Sequence, residues 1–547
     1  MVGALNAKHG HEEAANFLAL SWTRSASPLA RAARDERFWI SELGLIRSIF
    51  NLRRTPCDFA QSSGWRMGAP FIKMPNTKAD ELEPFVTSLN SCPKTGLHNP
   101  FKNVERYLLY GQVSAKMAEL LGKEDVANYF AKCIQRVCPK SWPQALGEVT
   151  IVRVFLQNFC GDQVRFLARG FSVPGNHYGQ RSHGHRWPYG PCCLVSPFNF
   201  PLEIPALQLM GALYMGNKVT LKAASTTSLV MEAFLRFMHF CGAPKTDVDF
   251  LNCAGSVFSE FVGRAQPRNT QFTGGSEAAE SLAVLTHGKV RLEDAGFDWK
   301  ILGPDVRAVD YVAWQSDQDA YANSGQKCSA QSILFAHENW LQAGLLDKLK
   351  TLAERRSLED LTVGPVLSHT TEDMLAHVHK LASLPRARVL FGGVELPRHN
   401  IPKRFGALAP TAVYVPLEEI LKPENFKDCI REIFGPFQVV TSFTDATVDR
   451  VLECCERMSH HLTAAVVSND MDFINRVVGH TVNGTTYVGI RARTTGAPQN
   501  HWFGPAGDPR GAGIGTPESI QLVWSCHREI IEDFNVPPHT WTLPAPS

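Results

Sequence analysis

The chain has 547 residues, 44% of them hydrophobic, and its 55 Lys and Arg against 53 Asp and Glu leave a net charge of only +2. Its length exceeds the size at which one core keeps growing, so two or three domains are expected. The near-zero net charge argues against a nucleic-acid or membrane-surface partner bound through bulk charge, and small molecules are the expected partners.

The 14 cysteines are scattered, without CxxC pairs or metal-ligand spacing with histidine, so no metal site is predicted. Two adjacent pairs, 192–193 and 454–455, are poorly placed for zinc or for a mutual disulfide, and a reducing compartment fits best. No apolar run approaches the roughly 20 residues needed to cross a bilayer, which predicts a soluble protein without a membrane partner.

Residues 14–34 have the composition of an organelle transit peptide, since they contain Arg and Ser but no acid. A basic surface helix is an equally good interpretation, because Glu12, Glu13 and the pair at 35–36 flank this stretch with acids.

Apolar residues recur every three or four positions between about 100 and 140, which predicts helix. They are Tyr107, Leu108, Tyr110, Val113, Met117, Leu120 and Leu121. Strand-like and helix-like runs then alternate, with a strand at 193–195, a helix at about 202–215 and a strand at 218–222. Repetition of this unit to residue 300 predicts a parallel sheet covered by helices on both faces, with ligands at the carboxyl ends of its strands.

The alternation resumes from 330 to 470, which indicates a second α/β domain. Its predicted elements are helices at 341–352 and 371–384 and a buried strand at 464–467. Residues 163–188 and 518–535 fit neither layer and are interpreted as exposed β segments. Because long unpaired strand edges are a liability, they are expected to pair with another subunit in a homo-oligomer, a dimer or larger.

Cys328 follows a glycine turn and has small and polar neighbours, which is where a nucleophile would lie. A thiol reacts as thiolate, so it needs partial exposure and a pocket that lowers its pKa, which Lys327 and the small flanks permit. The alternative is a small buried structural cysteine.

Four other segments carry polar groups at the ends of predicted elements. Asn199 lies in a rigid turn after a strand, where its amide could donate to an oxyanion. Residues 271–277 open a helix with Gly and Ser, so free backbone N–H groups could face a phosphate. Glu293 ends a strand and Glu432 lies beside an aromatic residue. Taken singly, each also has a structural interpretation, as a turn amide, a helix start or a surface carboxylate.

Taken in order, the motifs resemble those of the aldehyde dehydrogenase superfamily. They are PFNFP at 197–201, the strand-ending Lys222, FTGGSE at 272–277, LEDAG at 292–296, GQKC at 325–328 and EIFGP at 432–436. GQKCSA and the TTGA at 494–497 narrow the resemblance to enzymes that oxidise Δ1-pyrroline-5-carboxylate. The segments that begin LEDAGFDWK, TTGAPQNHW and VWSCHRE are similar to the plant-type branch, family 12.

This resemblance, which covers about residue 70 to the C-terminus, implies an α/β aldehyde dehydrogenase fold. A Rossmann-like parallel-sheet NAD-binding domain would comprise 71–164 and 189–295, and an α/β catalytic domain 296–515. Residues 165–188 and 518–536 would be β oligomerisation segments, and residues 1–70 an N-terminal extension with a possible transit segment. The resemblance also implies a mitochondrial matrix location.

The resemblance further implies roles for individual residues. Cys328 would be the nucleophile, Asn199 with the Cys328 N–H the oxyanion hole, and Glu293 the base that activates water. NAD would be bound by Ser196, Phe198, Lys222, Ser225, Gly274, Gly275, Ser276, Glu432 and Phe434. The substrate would be bound by Phe200, Ser329, Gly496 and Ala497.

Two positions depart from the family pattern. Ser225 stands where many relatives have a glutamate that binds the ribose hydroxyls and repels a 2′-phosphate, so NADP is less clearly excluded and NAD stays the prediction. Gly275 stands where serine is usual, which removes a side-chain donor but not the backbone one.

The implied reaction is NAD-dependent oxidation of L-glutamate γ-semialdehyde, in equilibrium with Δ1-pyrroline-5-carboxylate, to glutamate in proline breakdown. One alternative is another carboxylated semialdehyde, such as succinate semialdehyde. Others are a non-catalytic binding protein on the same fold and a thiol acyltransferase or hydrolase with a histidine base.

Overall fold

The computed structural model describes residues 72, 74–294 and 296–547, and the candidate transit segment lies outside them. The strands are β1 Phe171–Pro174, β2 Gln180–Pro188, β3 Pro191–Val195, β4 Lys218–Lys222, β5 Val248–Phe250, β6 Asn269–Thr273, β7 Val290–Glu293, β8 Asp298–Leu302, β9 Gln331–His337, β10 Arg388–Phe391, β11 Thr411–Tyr414, β12 Phe437–Phe443, β13 Thr463–Val467, β14 Thr485–Val488 and β15 Ser525–Asp533. The first helices are α1 Glu83–Asn90, α2 Glu105–Leu121, α3 Glu124–Val137, α4 Trp142–Asn158, α5 Gln163–Phe166, α6 Glu203–Tyr214, α7 Ser228–Phe240, α8 Gly255–Ala265 and α9 Ser276–Leu285. The remaining helices are α10 Val309–Tyr321, α11 Glu338–Gln342, α12 Leu345–Ala353, α13 Thr371–Ala382, α14 Leu417–Ile420, α15 Pro423–Cys429, α16 Val448–Glu456, α17 Met471–Val478 and α18 Pro517–Trp524.

The first sheet has five parallel strands in the order β5-β4-β3-β6-β7. Successive residues of a strand point to opposite faces, and in β3 Cys192 and Leu194 join one core while Cys193 and Val195 join another. Helices α2, α3, α4, α6 and α7 cover the first face, and α1, α8 and α9 cover the second. The strand order reverses between β3 and β6, so the loops that follow these strands are neighbours at the carboxyl edge.

The second sheet has seven strands in the order β10-β11-β12-β9-β8-β13-β14, and only β10 runs antiparallel to its neighbour. Its central strand β9 is likewise covered on both faces, since Ile333 and Phe335 lie in one core while Leu334 and Ala336 lie in another. The parallel sheet and the second α/β region predicted from the alternation of strands and helices are therefore confirmed.

The carboxyl edge of the first sheet meets the amino ends of central strands of the second. Asn199, which follows β3, donates a side-chain hydrogen bond to the carbonyl of Gln326, which precedes β9, at 3.2 Å. Just after β7, a Cβ added at Gly296 would lie 2.3 Å from the carbonyl oxygen of Cys328. This close meeting brings polar residues from both halves of the chain together.

The third sheet is antiparallel in the order β1-β2-β15. β15 pairs with β2 along nine residues, from Ser525 opposite Pro188 to Asp533 opposite Gln180. The strand prediction for the two exposed segments is thus confirmed for these parts. Pairing with another subunit, and the predicted domain limits, stay predictions.

Parts of the two exposed segments are helical, so the predicted β structure of residues 163–166 and 518–524 is wrong. For α18 the physical reason is a strong start signal: the Thr516 side chain accepts a hydrogen bond from the Ser519 N–H, and a proline opens the helix. Ile520 and Trp524 then pack where Gly211 of α6 leaves room for them.

The predicted helix at 341–352 is also interrupted in the structure. Gly344 has a φ of +79°, in the left-handed region, and divides the stretch into α11 and α12. The helical prediction for about 100–140 is confirmed as α2 and α3. Among the described residues, no helix is both long enough and apolar enough to span a membrane.

Candidate active site

The loop between α10 and β9 carries Cys328 and is fixed by several hydrogen bonds. Asn323 and Ser324 both have a φ of +55°, an uncommon conformation for residues with side chains. The Ser324 hydroxyl accepts a bond from the Gly364 N–H at 2.7 Å. The Gln326 side chain donates to the Pro365 carbonyl at 3.1 Å and accepts from a neighbouring backbone N–H. These hydrogen bonds therefore fix the part of the loop that precedes Cys328.

Gly325 lets the cysteine loop lie directly against the loop that precedes β12. A Cβ on Gly325 would lie 1.9 Å from the carbonyl oxygen of Gly435, and its φ is +68°. The neighbouring Phe434 packs edge-on against Phe198, with ring centroids 5.8 Å apart. Two predicted cofactor residues from different sheets, Phe198 and Phe434, are thereby in contact.

Glu293 ends β7 and faces the Cys328 thiol. It is only 2% exposed, and neither carboxyl oxygen has a conventional hydrogen-bond partner among the described residues. Burial raises the pKa of Glu293 to about 7. The contact with the Cys328 thiol opposes this effect, and the charge of Asp294 adds to it. A carboxyl that titrates near neutral pH can accept a proton from water, which is the role expected of a general base.

The pKa of Cys328 is raised well above its usual range, first by burial and then by the carboxyl of Glu293, with smaller contributions from Asp298 and Glu432. The pocket expected to lower the pKa of the thiol instead raises it, and Lys327 is not among the groups named above. Lys327 interacts chiefly with other buried groups, and burial lowers its own pKa to about 8. Among the charged groups, the Glu293 carboxyl raises the pKa of the thiol most, so the two side chains face one another at the meeting of the two sheets.

Asn199 is 2% exposed and is held by its main chain as well as its side chain. Its carbonyl accepts a bond from the ammonium of Lys140 at 2.6 Å, and Lys140 forms a fully buried ion pair with Glu148, also at 2.6 Å. The Gln326 carbonyl uses one of the two N–H groups of the Asn199 amide. The oxyanion role of Asn199 stays a prediction.

A cavity of about 200 Å³ opens onto Cys328. The four predicted substrate residues all line it: Phe200, Ser329, Gly496 and Ala497. Its wall also includes Glu148, Glu203 and Lys327. The structure therefore brings together segments that are more than a hundred residues apart in sequence.

Asp319 anchors the cavity loop at 494–497. It accepts hydrogen bonds from the Thr494 N–H at 2.9 Å and the Thr495 hydroxyl at 2.7 Å. The Nζ of Lys300 lies 2.7 Å from the Oδ2 of Asp319, and the two side chains form a fully buried ion pair. The N–H groups of Gly496 and Ala497 have no backbone acceptor in the described part of the chain, which leaves them available to a ligand.

The predicted pyrophosphate residues lie between β6 and α9. Gly275 is the N-cap of α9 and makes no side-chain cap. A Cβ added there would have no atom within 4 Å, so the space beside it is open. Ser276 directs its hydroxyl to the Asp294 carbonyl at 2.6 Å. The uncapped N–H groups of the first helical turn fit an anionic group such as a pyrophosphate.

The other predicted cofactor residues lie along the same sheet edge. Lys222 ends β4, and Ser225 is exposed and donates its hydroxyl to the Cys253 carbonyl at 3.2 Å. Ser196 is 4% exposed, and its hydroxyl has no partner within the described residues. Burial raises the pKa of Glu432 to about 8. The orphaned hydroxyl and the open helix start fit an extended dinucleotide on this edge.

Sequence reasoning missed the buried charges around the cavity, namely Lys140, Glu148, Glu203 and Asp319. A usable signal existed for Glu203, because an acid inside the apolar run that forms α6 is unusual, and all twelve residues of this helix are buried. Among the described residues, no three or more His, Cys, Asp or Glu side chains are grouped to hold a metal ion.

Comparison with known proteins matches residues 111–513 to a model of the aldehyde dehydrogenase family. The delta-1-pyrroline-5-carboxylate dehydrogenase 12A1, mitochondrial, of Arabidopsis thaliana is 63% identical over 478 residues, which cover 87% of this chain and 86% of that protein.

Two solved structures confirm the predicted fold. The NAD-dependent aldehyde dehydrogenase from Sinorhizobium meliloti superposes with a TM-score of 0.71 at 18% identity, covering 86% of this chain and 90% of that one. A mutant of proline utilization A from Bradyrhizobium japonicum gives 0.72 at 22% identity, covering 84% of this chain but only 46% of that longer one.

Proposed function

Because the chain belongs to the aldehyde dehydrogenase family, we propose that it oxidises L-glutamate γ-semialdehyde, the open form of Δ1-pyrroline-5-carboxylate, to L-glutamate. The observation that carries this proposal is the cavity in which Cys328 meets Ser329, Gly496 and Ala497. The Arabidopsis relative, 63% identical, is named for this substrate and for the mitochondrion. We extend both the reaction and a mitochondrial matrix location to this chain.

The chain's own residues account for the covalent chemistry. The Cys328 thiol loses its proton to solvent, and the thiolate adds to the aldehyde carbon to form a thiohemiacetal. The Asn199 amide and the Cys328 N–H stabilise its oxyanion. The residues proposed below to hold a nicotinamide cofactor would place its hydride-accepting chemistry beside this adduct, whose oxidation leaves a thioester on Cys328. Glu293 then deprotonates the water that hydrolyses the thioester and frees Cys328.

Enzymes of this family use NAD or NADP, and we propose NAD for this chain. Gly274, Gly275 and Ser276 would hold the pyrophosphate, Lys222 the adenosine ribose and Glu432 the nicotinamide ribose. Ser225 is exposed and places no carboxylate against a 2′-phosphate. Rates with NAD and NADP, measured side by side, decide the preference.

For the substrate, we propose that its α-carboxylate is bound by the Ser329 hydroxyl and the N–H groups of Gly496 and Ala497. Backbone N–H groups that converge in a loop form a small anion cradle. The fixed contacts of Asp319 with Thr494 and Thr495 keep this cradle in place.

The proposed function is tested by NADH absorbance with purified protein, NAD and either Δ1-pyrroline-5-carboxylate or succinate semialdehyde. We expect turnover selective for the pyrroline compound. A preference for succinate semialdehyde would contradict the proposed substrate. Acyl transfer or hydrolysis in the absence of nicotinamide would contradict the proposed reaction class.

Replacing Gly496 by alanine should weaken substrate binding. A Cβ at this position would lie 1.8 Å from the Tyr487 hydroxyl oxygen, so the loop must move and carry the Ala497 N–H away. We expect KM for the pyrroline substrate to rise about 10- to 100-fold.

Steady-state kinetics of Gly496→Ala, Tyr487→Phe and the double variant measure this effect. Because Tyr487→Phe removes the clashing oxygen, the double variant should recover part of the lost affinity. An unchanged KM in Gly496→Ala would remove this loop from the substrate site.

A further inference from the structure

One carboxylate in the cavity wall has no part in the chemistry above. Glu203, the first residue of α6, is only 8% exposed and lines the cavity together with Cys328. Its carboxyl forms no hydrogen bond or ion pair with any described residue, and the influences on it are burial and more distant charges. A carboxyl buried without a partner stays protonated unless a cationic group comes beside it, so Glu203 is placed to ionise when a cationic ligand binds.

The groups that would ordinarily satisfy Glu203 are already engaged. Glu148 accepts the N–H groups of Leu202 and Glu203 at 3.2 and 3.3 Å, so it caps the start of α6 in place of Glu203. The ammonium of Lys140 binds Glu148 and the Asn199 carbonyl, both at 2.6 Å. Neither a capping role nor an ion pair therefore explains Glu203.

Lys327 adds the opposite charge to the same cavity. It is 9% exposed, lines the cavity and makes no ion pair within 4 Å with a described residue. Glu203 and Lys327 influence one another only at longer range. A cavity with an unpaired carboxyl and an unpaired ammonium in its wall is complementary to a ligand that itself carries both charges.

We propose that Glu203 recognises the α-ammonium group of the substrate and thereby makes the cavity specific for an amino-acid aldehyde. This inference rests on the proposed function, because glutamate semialdehyde carries an ammonium beside its carboxylate. The contact is a charge-assisted hydrogen bond from the ammonium group to a side chain that is 8% exposed.

The electrostatics of Glu203 agree with this role. Burial raises its pKa to about 8, the carboxyls of Glu148 and Glu293 add to that effect, and Lys140 and Lys327 oppose it. An ammonium bound beside the carboxyl supplies the missing positive charge and favours its ionised form.

The test compares Glu203→Gln with the wild type on two aldehydes of equal length, glutamate γ-semialdehyde and glutarate semialdehyde, which lacks the amine. We expect kcat/KM for the amine-bearing substrate to fall about 30-fold or more, mainly through KM. The value for glutarate semialdehyde should change less than about threefold. Equal losses on both substrates, or no loss on either, overturn the proposal.

Gln144→Ala is the matched control, because Gln144 lines the same cavity without a charge. It should change both substrates alike, and a selective loss there would overturn the assignment to Glu203. If Glu203→Gln does not fold, inhibition of the wild-type holoenzyme still decides. L-glutamate should inhibit more strongly than glutarate, and equal inhibition overturns the ammonium contact.

Failure of the proposed function has a different signature. A wild type that oxidises glutarate semialdehyde but not glutamate semialdehyde contradicts the function, and the role of Glu203 with it. A wild type selective for the amine-bearing substrate whose selectivity survives in Glu203→Gln contradicts the role of Glu203 alone.

Discussion

Replacing Cys328 by alanine should abolish aldehyde oxidation, lowering kcat by about 10,000-fold or more, since removal of an enzyme's nucleophile costs losses of this order. Without the sulfur no thiohemiacetal forms, and the oxyanion site around Asn199 has no adduct to stabilise. The measurement is NADH formation at saturating pyrroline substrate.

Cofactor binding should survive the change, because Cys328 is supplied by the second sheet while most of the predicted dinucleotide site lies on the first. Titration of NAD into the variant, followed by protein fluorescence, checks this. Cys160→Ala is the matched control. Cys160 is also partly exposed but lies just after α4, and its thiol donates to the Leu156 carbonyl at 3.2 Å. Dehydrogenase activity retained in Cys328→Ala would contradict the nucleophile assignment.

Replacing Glu293 by glutamine should slow steady-state turnover about 100- to 10,000-fold, the usual contribution of a general base. Thioester hydrolysis needs the base to activate water, so the acyl-enzyme should accumulate after the first oxidation. Rapid mixing should show a burst of NADH of about one equivalent per active site, followed by a slow phase. An unchanged linear trace would remove Glu293 from the mechanism.

The pH dependence gives an independent check of Glu293. Burial raises its pKa to about 7, and only the ionised form acts as a base. Turnover limited by hydrolysis should therefore rise with pH through about 7, and this limb should vanish in Glu293→Gln. Asp294→Asn is the control. Because the charge of Asp294 raises the pKa of Glu293, the variant should shift the limb to lower pH and keep the maximal rate.

The sequence predicted most of the sheets and the elements that carry the proposed site, because periodicity and turn residues are local signals. The secondary-structure prediction was wrong where one local pattern is compatible with two different structures. The apolar and polar residues of α18 fit a strand as well as a helix, and the cap at Thr516 decides between them. A single glycine, Gly344, is tolerated inside many helices, but here its left-handed φ interrupts the predicted helix.

The electrostatic interactions in the cavity were harder to predict from the sequence, because they depend on which charged side chains lie close together in the folded chain. Lys327 is adjacent to Cys328 in sequence, yet the strongest charge on the thiol is Glu293, from another strand of another sheet. The unpaired state of Glu203 likewise depends on Glu148 capping α6 in its place. No sequence pattern reports such a competition between partners.

The pairing of β2 with β15 sets an order on folding. Arg186 and Ser525, which meet across these strands, are 339 residues apart in the chain. Such distant contacts close slowly because a long loop must lose entropy first. During synthesis β2 therefore emerges with an open edge that stays without its partner until the last strand is made. Chaperone dependence, and aggregation on C-terminal truncation, are the behaviour this topology leads us to expect.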